Sequence, residues 1–384
     1  MRFEFATATR IIFGAGTSEE VAGLATEMGR RAFVVTGRTV ERVRPVLEQL
    51  KKHQIEHVTF TVAGEPTTDM ARQGVRKARQ AKADLVISIG GGSVLDTGKV
   101  VAAMLTNRGE LEDYLEVVGE GKPLVLSAAG HIAVPTTAGT GAEVTRNSVL
   151  KVPEHAVKVS MRSGLMLPRM AVVDPELTYS MPPSVTASTG LDALTQLMEA
   201  YVSNKANPMT DGICREGLRR AGRSLRRAYE DGCNQIGRED MALASLFGGL
   251  ALANAKLGAV HGFAGPLGGM TSAAHGVICA RLLPYVMQAN VQALRTRAAD
   301  SPSLARYDDV AQLLTGMATA KASDGVGWVN ELCAALKVPA LREFGLKEQD
   351  FPAVVAKSQK SSSMKGNPVQ LADDELIEIL ENAG

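Results

Sequence analysis

Residues 85–99 read LVISIGGGSVLDTGK. The first five are apolar or small, as in a strand buried on both faces. The glycines at 90–92 let the backbone turn sharply, and the pattern from Ser93 to 105 fits a helix. Similar short apolar runs stand at 32–36 (AFVVT), 57–62 (HVTFTV), 131–134 (HIAV) and 170–173 (MAVV). Between the first four strands lie helix-period segments at 40–52, 68–82 and 93–105. This alternation predicts a parallel sheet with crossover helices. After Pro182-Pro183 the texture changes. Segments 184–203, 208–229, 237–256, 283–297, 307–320, 324–336 and 373–382 carry a helical period, and no further strand is expected. Ser184 and Asp240 read as helix caps or first-turn residues, and 358–368 reads as a loop. We therefore expect an α/β domain over 1–180 followed by an all-helical domain over 181–384.

The chain has 384 residues, with 42 Lys+Arg against 41 Asp+Glu and a net charge of +1. That balance argues against nucleic acid as a partner. Aromatic residues are 4%, with Trp328 the single tryptophan, too few for base-stacking platforms. The helix at 215–227 has six arginines, and its simplest reading is a solvated face with Leu218 and Leu225 turned inward. Cys214, Cys233, Cys279 and Cys333 show no C-x-x-C spacing and read as reduced thiols of a cytoplasmic protein. The first residues do not read as a signal peptide. No stretch approaches the roughly 18 apolar residues of a membrane span, so no membrane partner is expected.

Three groups of residues carry candidate chemistry. Gly90, Gly91, Gly92, Ser93 and Asp96 follow a buried strand and open a helix. Free N–H groups and the positive helix end there suit a phosphate. Thr136, Thr137, Gly139, Thr140 and Gly141 repeat that logic after strand 131–134, and the two turns together point to a nucleotide. In the helical half, Asp192 and Gln196 are four apart and share one helix face. His261 and His275 lie in residues 257–280, which contain six glycines and no Lys, Arg, Asp or Glu. One carboxylate and two imidazoles beside an uncharged wall suit Zn²⁺ or Fe²⁺. His53, His57, His131 and His155 read as ordinary structural or surface histidines.

GGGSVLDTGK (90–99), AVPTTAGTGAEVT (133–145), DALT (192–195) and HGFAGPLGGMTSAAHG (261–276) resemble the iron-dependent (group III) alcohol dehydrogenase family, which includes maleylacetate reductases. The resemblance implies a dehydroquinate synthase-like architecture, with a dinucleotide-binding domain, an all-helical metal and substrate domain, and the active site in the cleft. It also implies an NAD(P)-dependent oxidoreductase acting on a small alcohol or carbonyl substrate, working as a cytoplasmic homodimer. By the same resemblance, Gly91, Gly92, Ser93 and Asp96 match the pyrophosphate loop. Thr136, Thr137, Thr140 and Thr145 match cofactor-contacting threonines, and Lys158 a lysine near the nicotinamide ribose. Asp192, Gln196, His261 and His275 occupy the four metal-ligand positions. Asp192, His261 and His275 would then be catalytic through the metal, with Asp192 the one anionic ligand.

Three positions depart from the family pattern. Gln196 stands where a histidine is usual, which implies a harder, weaker ligand, weaker metal binding and a shift away from Zn²⁺. Gly265 stands where many relatives have a further histidine. That removes a proton-transfer group and opens space for a different substrate. Gly37 stands where NAD-selective relatives carry Asp, and Arg38 follows it. A missing anion and an added guanidinium suit a 2′-phosphate, so NADP(H) is expected to be accepted. The alternatives considered are a maleylacetate-type reductase, with Arg146 or Arg162 receiving a carboxylate, a dehydroquinate synthase-like lyase, and a nucleotide-binding protein that has lost catalysis.

Overall fold

A computed structural model describes residues 2–155 and 157–384. The chain divides into two compact units, one of residues 6–137 and 141–179, the other of residues 2–5, 138–140 and 180–384.

The first unit has eight strands among the described residues: β1 (Arg10–Phe13), β2 (Arg31–Thr36), β3 (Glu56–Thr61), β4 (Leu85–Gly90), β5 (Gly130–Pro135), β6 (Asn147–Val152), β7 (Val157–Arg162) and β8 (Met170–Val173). Its helices are α1 (Val21–Ala25), α2 (Arg44–Lys52), α3 (Thr68–Gln80) and α4 (Gly92–Thr106). Six strands form one all-parallel sheet in the order β1-β8-β5-β4-β2-β3, the class of sheet expected from the alternation. The expected strands and crossover helices are present. β1 and the antiparallel hairpin β6–β7 are additions. Both escaped the sequence reading because their burial is partial. The hairpin alternates buried and open positions, and β1 is a four-residue edge strand.

The order of the sheet decides where a ligand fits. From β2 the chain crosses to β3 on one side, then returns to β4 on the other side of β2. The strand order reverses between β2 and β4, and the crevice outside their carboxyl ends is where open α/β sheets take ligands. Thr36 pairs with Ile89 there, so Gly37 and the glycine turn at 90–92 leave the sheet side by side. Gly98 seats α4 on the sheet. A Cβ at 98 would lie 1.7 Å from Ser88 Oγ, which itself bonds His131 Nε2 at 2.9 Å. Burial, with the charge of Lys99, pushes His131 down to about 3, so it is neutral and structural.

Lys99 is fully buried, which the sequence gives no reason to expect. Its ammonium bonds Asp96 Oδ1 at 2.9 Å, Thr145 Oγ1 at 2.9 Å and the carbonyl of Asn147. Those bonds tie segment 142–147 to α4. Glu143 lies in the same segment. Burial drives its carboxyl up from 4.5 to about 7, against its own backbone hydrogen bond and the charge of Lys99. The folded value lies above the unfolded one, so folding favours the protonated form. Its contribution to stability is complete below about pH 4.5 and is lost as pH rises through about 7. Calorimetry from about pH 6 to about pH 8 should show the melting temperature of the wild type falling more than that of Glu143→Gln, which stays neutral throughout. Parallel curves would contradict this.

The second unit is helical: α5 (Pro183–Val202), α6 (Pro208–Glu230), α7 (Gln235–Asn254), α8 (Ala259–Met270), α9 (His275–Arg297), α10 (Pro302–Thr315), α11 (Ala322–Ala335), α12 (Phe351–Ser358) and α13 (Asp373–Ala383). Among the described residues no single helix is long and apolar enough to cross a membrane. α5 is the core helix, buried without interruption from Gly190 to Val202. A stripe of Asp192, Gln196 and Glu199 runs along this otherwise apolar helix at i, i+4 and i+7, where each polar group needs a partner. α6 buries Leu218 and Leu225, as its heptad spacing suggests. Asp240 is no cap. It lies inside α7, which Asn234 caps, and it accepts from Arg220, Arg223 and Ser224. The loop at 358–368 is pinned by Asn367, whose Oδ1 accepts from Ala259 N at the start of α8.

Candidate metal centre and cofactor turns

The helical unit brings Asp192, His261 and His275 together from three helices. Asp192 Oδ1 lies 3.3 Å from His261 Nε2 and 3.7 Å from His275 Nε2. Cys279, one turn after His275 on α9, puts its Sγ 3.8 Å from His261 Nε2 and 3.6 Å from His275 Nε2. All four donor atoms lie within 4.8 Å of one another. Asp192 is 1% exposed, yet its Oδ1 has no hydrogen-bond partner, and neither has the buried Oε1 of Gln196. Leaving a buried oxygen unpaired costs about 1–3 kcal/mol, more when it is charged, so converging donors around that oxygen fit a cation. The electrostatics agree. Burial alone would raise the Asp192 carboxyl, but the charges of His275 and His261 outweigh it and hold the group below its usual range. Burial would lower His261, but Cys279, Asp192 and Glu199 raise it well above 6.5. Cys279 foremost, then Asp192, raise His275 against its burial. The cluster favours positive charge at its centre, which is what a divalent ion supplies.

Glu199 fixes one ligand. Its carboxylate accepts from His261 Nδ1 at 2.7 Å and from Val260 N at 2.7 Å, so it caps α8 and turns His261 Nε2 toward Asp192. Such a carboxylate behind an imidazole sets the tautomer and strengthens a metal ligand. Sequence reasoning missed Glu199 and Cys279. Glu199 is seven after Asp192, a heptad step that puts both on one face. Cys279 is four after His275, but the helix was expected to begin at 283, which hid the spacing. Gln196 sits at the cluster's edge. Its Nε2 donates to Asp192 Oδ2 at 3.3 Å and to Gly139 O at 3.4 Å. Its Oε1 faces Gly248, where a Cβ would stand 3.2 Å away. Gly265 is exposed, one turn past His261, and a Cβ there would meet nothing within 4 Å.

In the sheet unit, Gly91 precedes the first residue of α4 in extended conformation, and no side chain caps the helix. A Cβ on Gly90 would strike Val94, and one on Gly91 would press Thr137 at 3.4 Å, so the turn is small by necessity. The N–H groups of Gly92 and Ser93 have no side-chain cap and are available to a phosphate. Thr136 N bonds Gly90 O, which places Thr136 and Thr137 beside the turn. The other expected cofactor residues have protein partners. Asp96 accepts from Lys99 and Val149 N, Thr145 accepts from Lys99, and Lys158 pairs with Glu65. Thr140 belongs to the helical unit. Gly37 has room, a Cβ there meeting only Val94 Cγ2 at 4.0 Å. Arg38 is exposed and has no hydrogen bond or ion pair among the described residues.

A phosphate cradle at a sheet's switch point and a buried carboxylate–imidazole cluster point to a metal-assisted, nucleotide-dependent enzyme. Comparison with known proteins gives the family. The profile for iron-containing alcohol dehydrogenase matches residues 8–175, and that for the C-terminal part of the Fe-containing alcohol dehydrogenase family matches residues 186–384. The chain belongs to the iron-containing alcohol dehydrogenase family, and it is an oxidoreductase. It is 35% identical over 363 residues to the 1,3-propanediol dehydrogenase of Klebsiella pneumoniae, covering 92% of each chain. Its fold matches a crystal structure of 1,3-propanediol oxidoreductase at TM-score 0.92, with 33% identity and full coverage of both chains. It also matches the sulfoacetaldehyde reductase of Bifidobacterium kashiwanohense in complex with NAD+ at TM-score 0.87, with 27% identity over 100% of this chain and 99% of that one. Family members use NAD(P) and a divalent metal, and the donors described above fit such an ion.

Proposed function

We propose that this chain transfers a hydride between NADP(H) and a small alcohol or aldehyde, with a divalent metal held by Asp192, His261 and His275 and with Gln196 beside them. The observation that carries this reading is the partnerless Asp192 Oδ1 facing two imidazole nitrogens at 3.3 and 3.7 Å. When bound, the metal supplies Lewis-acid polarisation of the substrate oxygen, and the nicotinamide supplies the hydride. The protein's own residues do the rest. Asp192 provides the anionic anchor, and Glu199 holds His261 in register. The uncharged residues 257–280 keep other ions from competing for the site. Gly91, Gly92, Ser93, Thr136 and Thr137 cradle the phosphates, with Asp96 and Thr145 bracing that turn through Lys99. Lys158, paired with Glu65, would lie near the nicotinamide ribose, and Thr140 would contact the cofactor. Gly37 and Arg38 receive the 2′-phosphate. Gly265 offers no imidazole for proton exchange, so the proton would pass through water, a ribose hydroxyl or another side chain.

Two of the similar proteins support a short substrate: 1,3-propanediol for one and sulfoacetaldehyde for the other. The same reading takes the working form as a cytoplasmic homodimer. The four unpaired thiols fit a reducing compartment, and the dimer follows family likeness. The test is the nicotinamide absorbance band, followed with a panel of short aldehydes, keto acids and alcohols, with added Fe²⁺ or Zn²⁺. Oxidation of NADPH by a short aldehyde is expected. No net turnover of NADPH or NADH with any compound, under either metal, would overturn the reading.

A further inference from the structure

Gln196 implied a hard, weak ligand and a site turned away from zinc. The structure places a sulfur in the same cluster. We propose that the Cys279 thiolate is the fourth protein ligand, making an Asp192–His261–His275–Cys279 site that takes Zn²⁺ in preference to Fe²⁺. This rests on the reading that Asp192, His261 and His275 hold the metal.

A tetrahedral site with bonds of about 2.0 Å to nitrogen or oxygen and about 2.3 Å to sulfur has edges of about 3.3 Å between nitrogen or oxygen donors and about 3.6 Å to the sulfur, within a few tenths of an ångström of the separations here. The four edges that join Asp192 or Cys279 to an imidazole measure 3.3, 3.7, 3.8 and 3.6 Å. The remaining two separations are within 4.8 Å. Cys279 is fully buried, and its side chain shares the face of α9 that carries His275. Gln196 sits on the far side. Its amide nitrogen bonds Asp192 Oδ2, the oxygen turned away from the imidazoles, and its own oxygen faces Gly248. Gln196 is thus a positioning residue, steadying the carboxylate whose other oxygen faces the metal position.

The chemistry follows from the donor set. On binding, the thiol exchanges its proton for the metal and the proton leaves to solvent. Asp192 and Cys279 then bring two negative charges to a divalent ion, so the formal charge is zero rather than +1. Thiolate is a soft ligand and selects zinc over iron(II) more strongly than an amide oxygen does.

X-ray absorption at the zinc edge tests this directly. The whole chain is stripped with a chelator and reloaded with one equivalent of Zn²⁺, and a parallel sample with Co²⁺ is examined by optical spectroscopy. The wild type should show one sulfur neighbour at about 2.3 Å and, with cobalt, a strong near-ultraviolet charge-transfer band. Both signals should vanish in Cys279→Ser and persist in Gln196→Ala and in Cys233→Ser, which removes the exposed thiol. In competition, the preference for Zn²⁺ over Fe²⁺ should fall at least about tenfold in Cys279→Ser, the lower limit for losing even an indirect partner. A wild-type shell of nitrogen and oxygen alone, or a sulfur shell unchanged in Cys279→Ser, overturns the proposal and leaves the metal site standing. No metal retained by the wild type, or equal retention by Asp192→Ala, overturns both.

Discussion

Asp192→Ala is expected to lower kcat/KM by at least about 1,000-fold while the protein keeps its fold. A metal acting on the substrate oxygen is worth several kcal/mol of transition-state stabilisation, and each 1.36 kcal/mol is about tenfold in rate. Asp192 is the carboxylate whose free oxygen faces both imidazoles, so without it two neutral rings and the Cys279 sulfur must hold a divalent ion with one anionic ligand fewer. The fold has little to lose. Leu191, Leu194 and Leu197 pack α5 into the core, and alanine is the best helix former. The histidines hold the Asp192 carboxyl below its usual range, so it stabilises the metal-free fold at neutral pH, and the metal-free variant should melt modestly lower than metal-free wild type while staying cooperatively folded. Steady-state kinetics with NADPH, beside circular dichroism on the same sample, check this. Activity within about tenfold of wild type would remove the metal from the mechanism.

Gly37→Asp is expected to cut kcat/KM with NADPH by about 100-fold, leave NADH turnover unchanged or improved, and reverse a wild-type preference for NADPH. Gly37 follows β2 at the switch point, beside the glycine turn that leaves β4. The site has room, because a Cβ there meets only Val94 Cγ2 at 4.0 Å, and the backbone at 37 is not left-handed. A carboxylate set against a 2′-phosphate costs several kcal/mol, and each 1.36 kcal/mol is about tenfold. The same carboxylate accepts a hydrogen bond from a free 2′-hydroxyl. Arg38 has no competing acidic partner among the described residues, which leaves its guanidinium free for the phosphate in the wild type. Equal loss with both cofactors would indicate a damaged turn. Unchanged use of NADPH would place the 2′-phosphate elsewhere.

Some parts of this molecule can be read from its residues and others cannot, for physical reasons. The central strands β4 and β5 are buried on both faces, so their apolar runs stand out. β6 and β7 bury one face only, and their polar alternation resembles a loop. Asp192 and Gln196 share a face by helical spacing alone, which is legible. The start of α9 is not, because residues 257–280 lack the charged residues that make a helix period visible. Cys279 and its step of four from His275 were lost with it. Lys99 shows a different limit. A lysine reads as surface, and only the three-dimensional placement of Asp96, Thr145 and the Asn147 carbonyl explains how its charge is buried. Asp96 matched a cofactor loop, and its bonds to Lys99 and Val149 N show that it also braces that loop.

The most direct test of the account is a metal titration of the stripped wild-type protein, with bound metal per chain and rate of aldehyde-dependent NADPH oxidation measured on each sample. Activity is expected to be absent without metal, to rise linearly with bound Zn²⁺ or Fe²⁺, and to level off at one ion per chain. Full activity in the stripped protein, or a rate indifferent to the metal bound at this cluster, would contradict it.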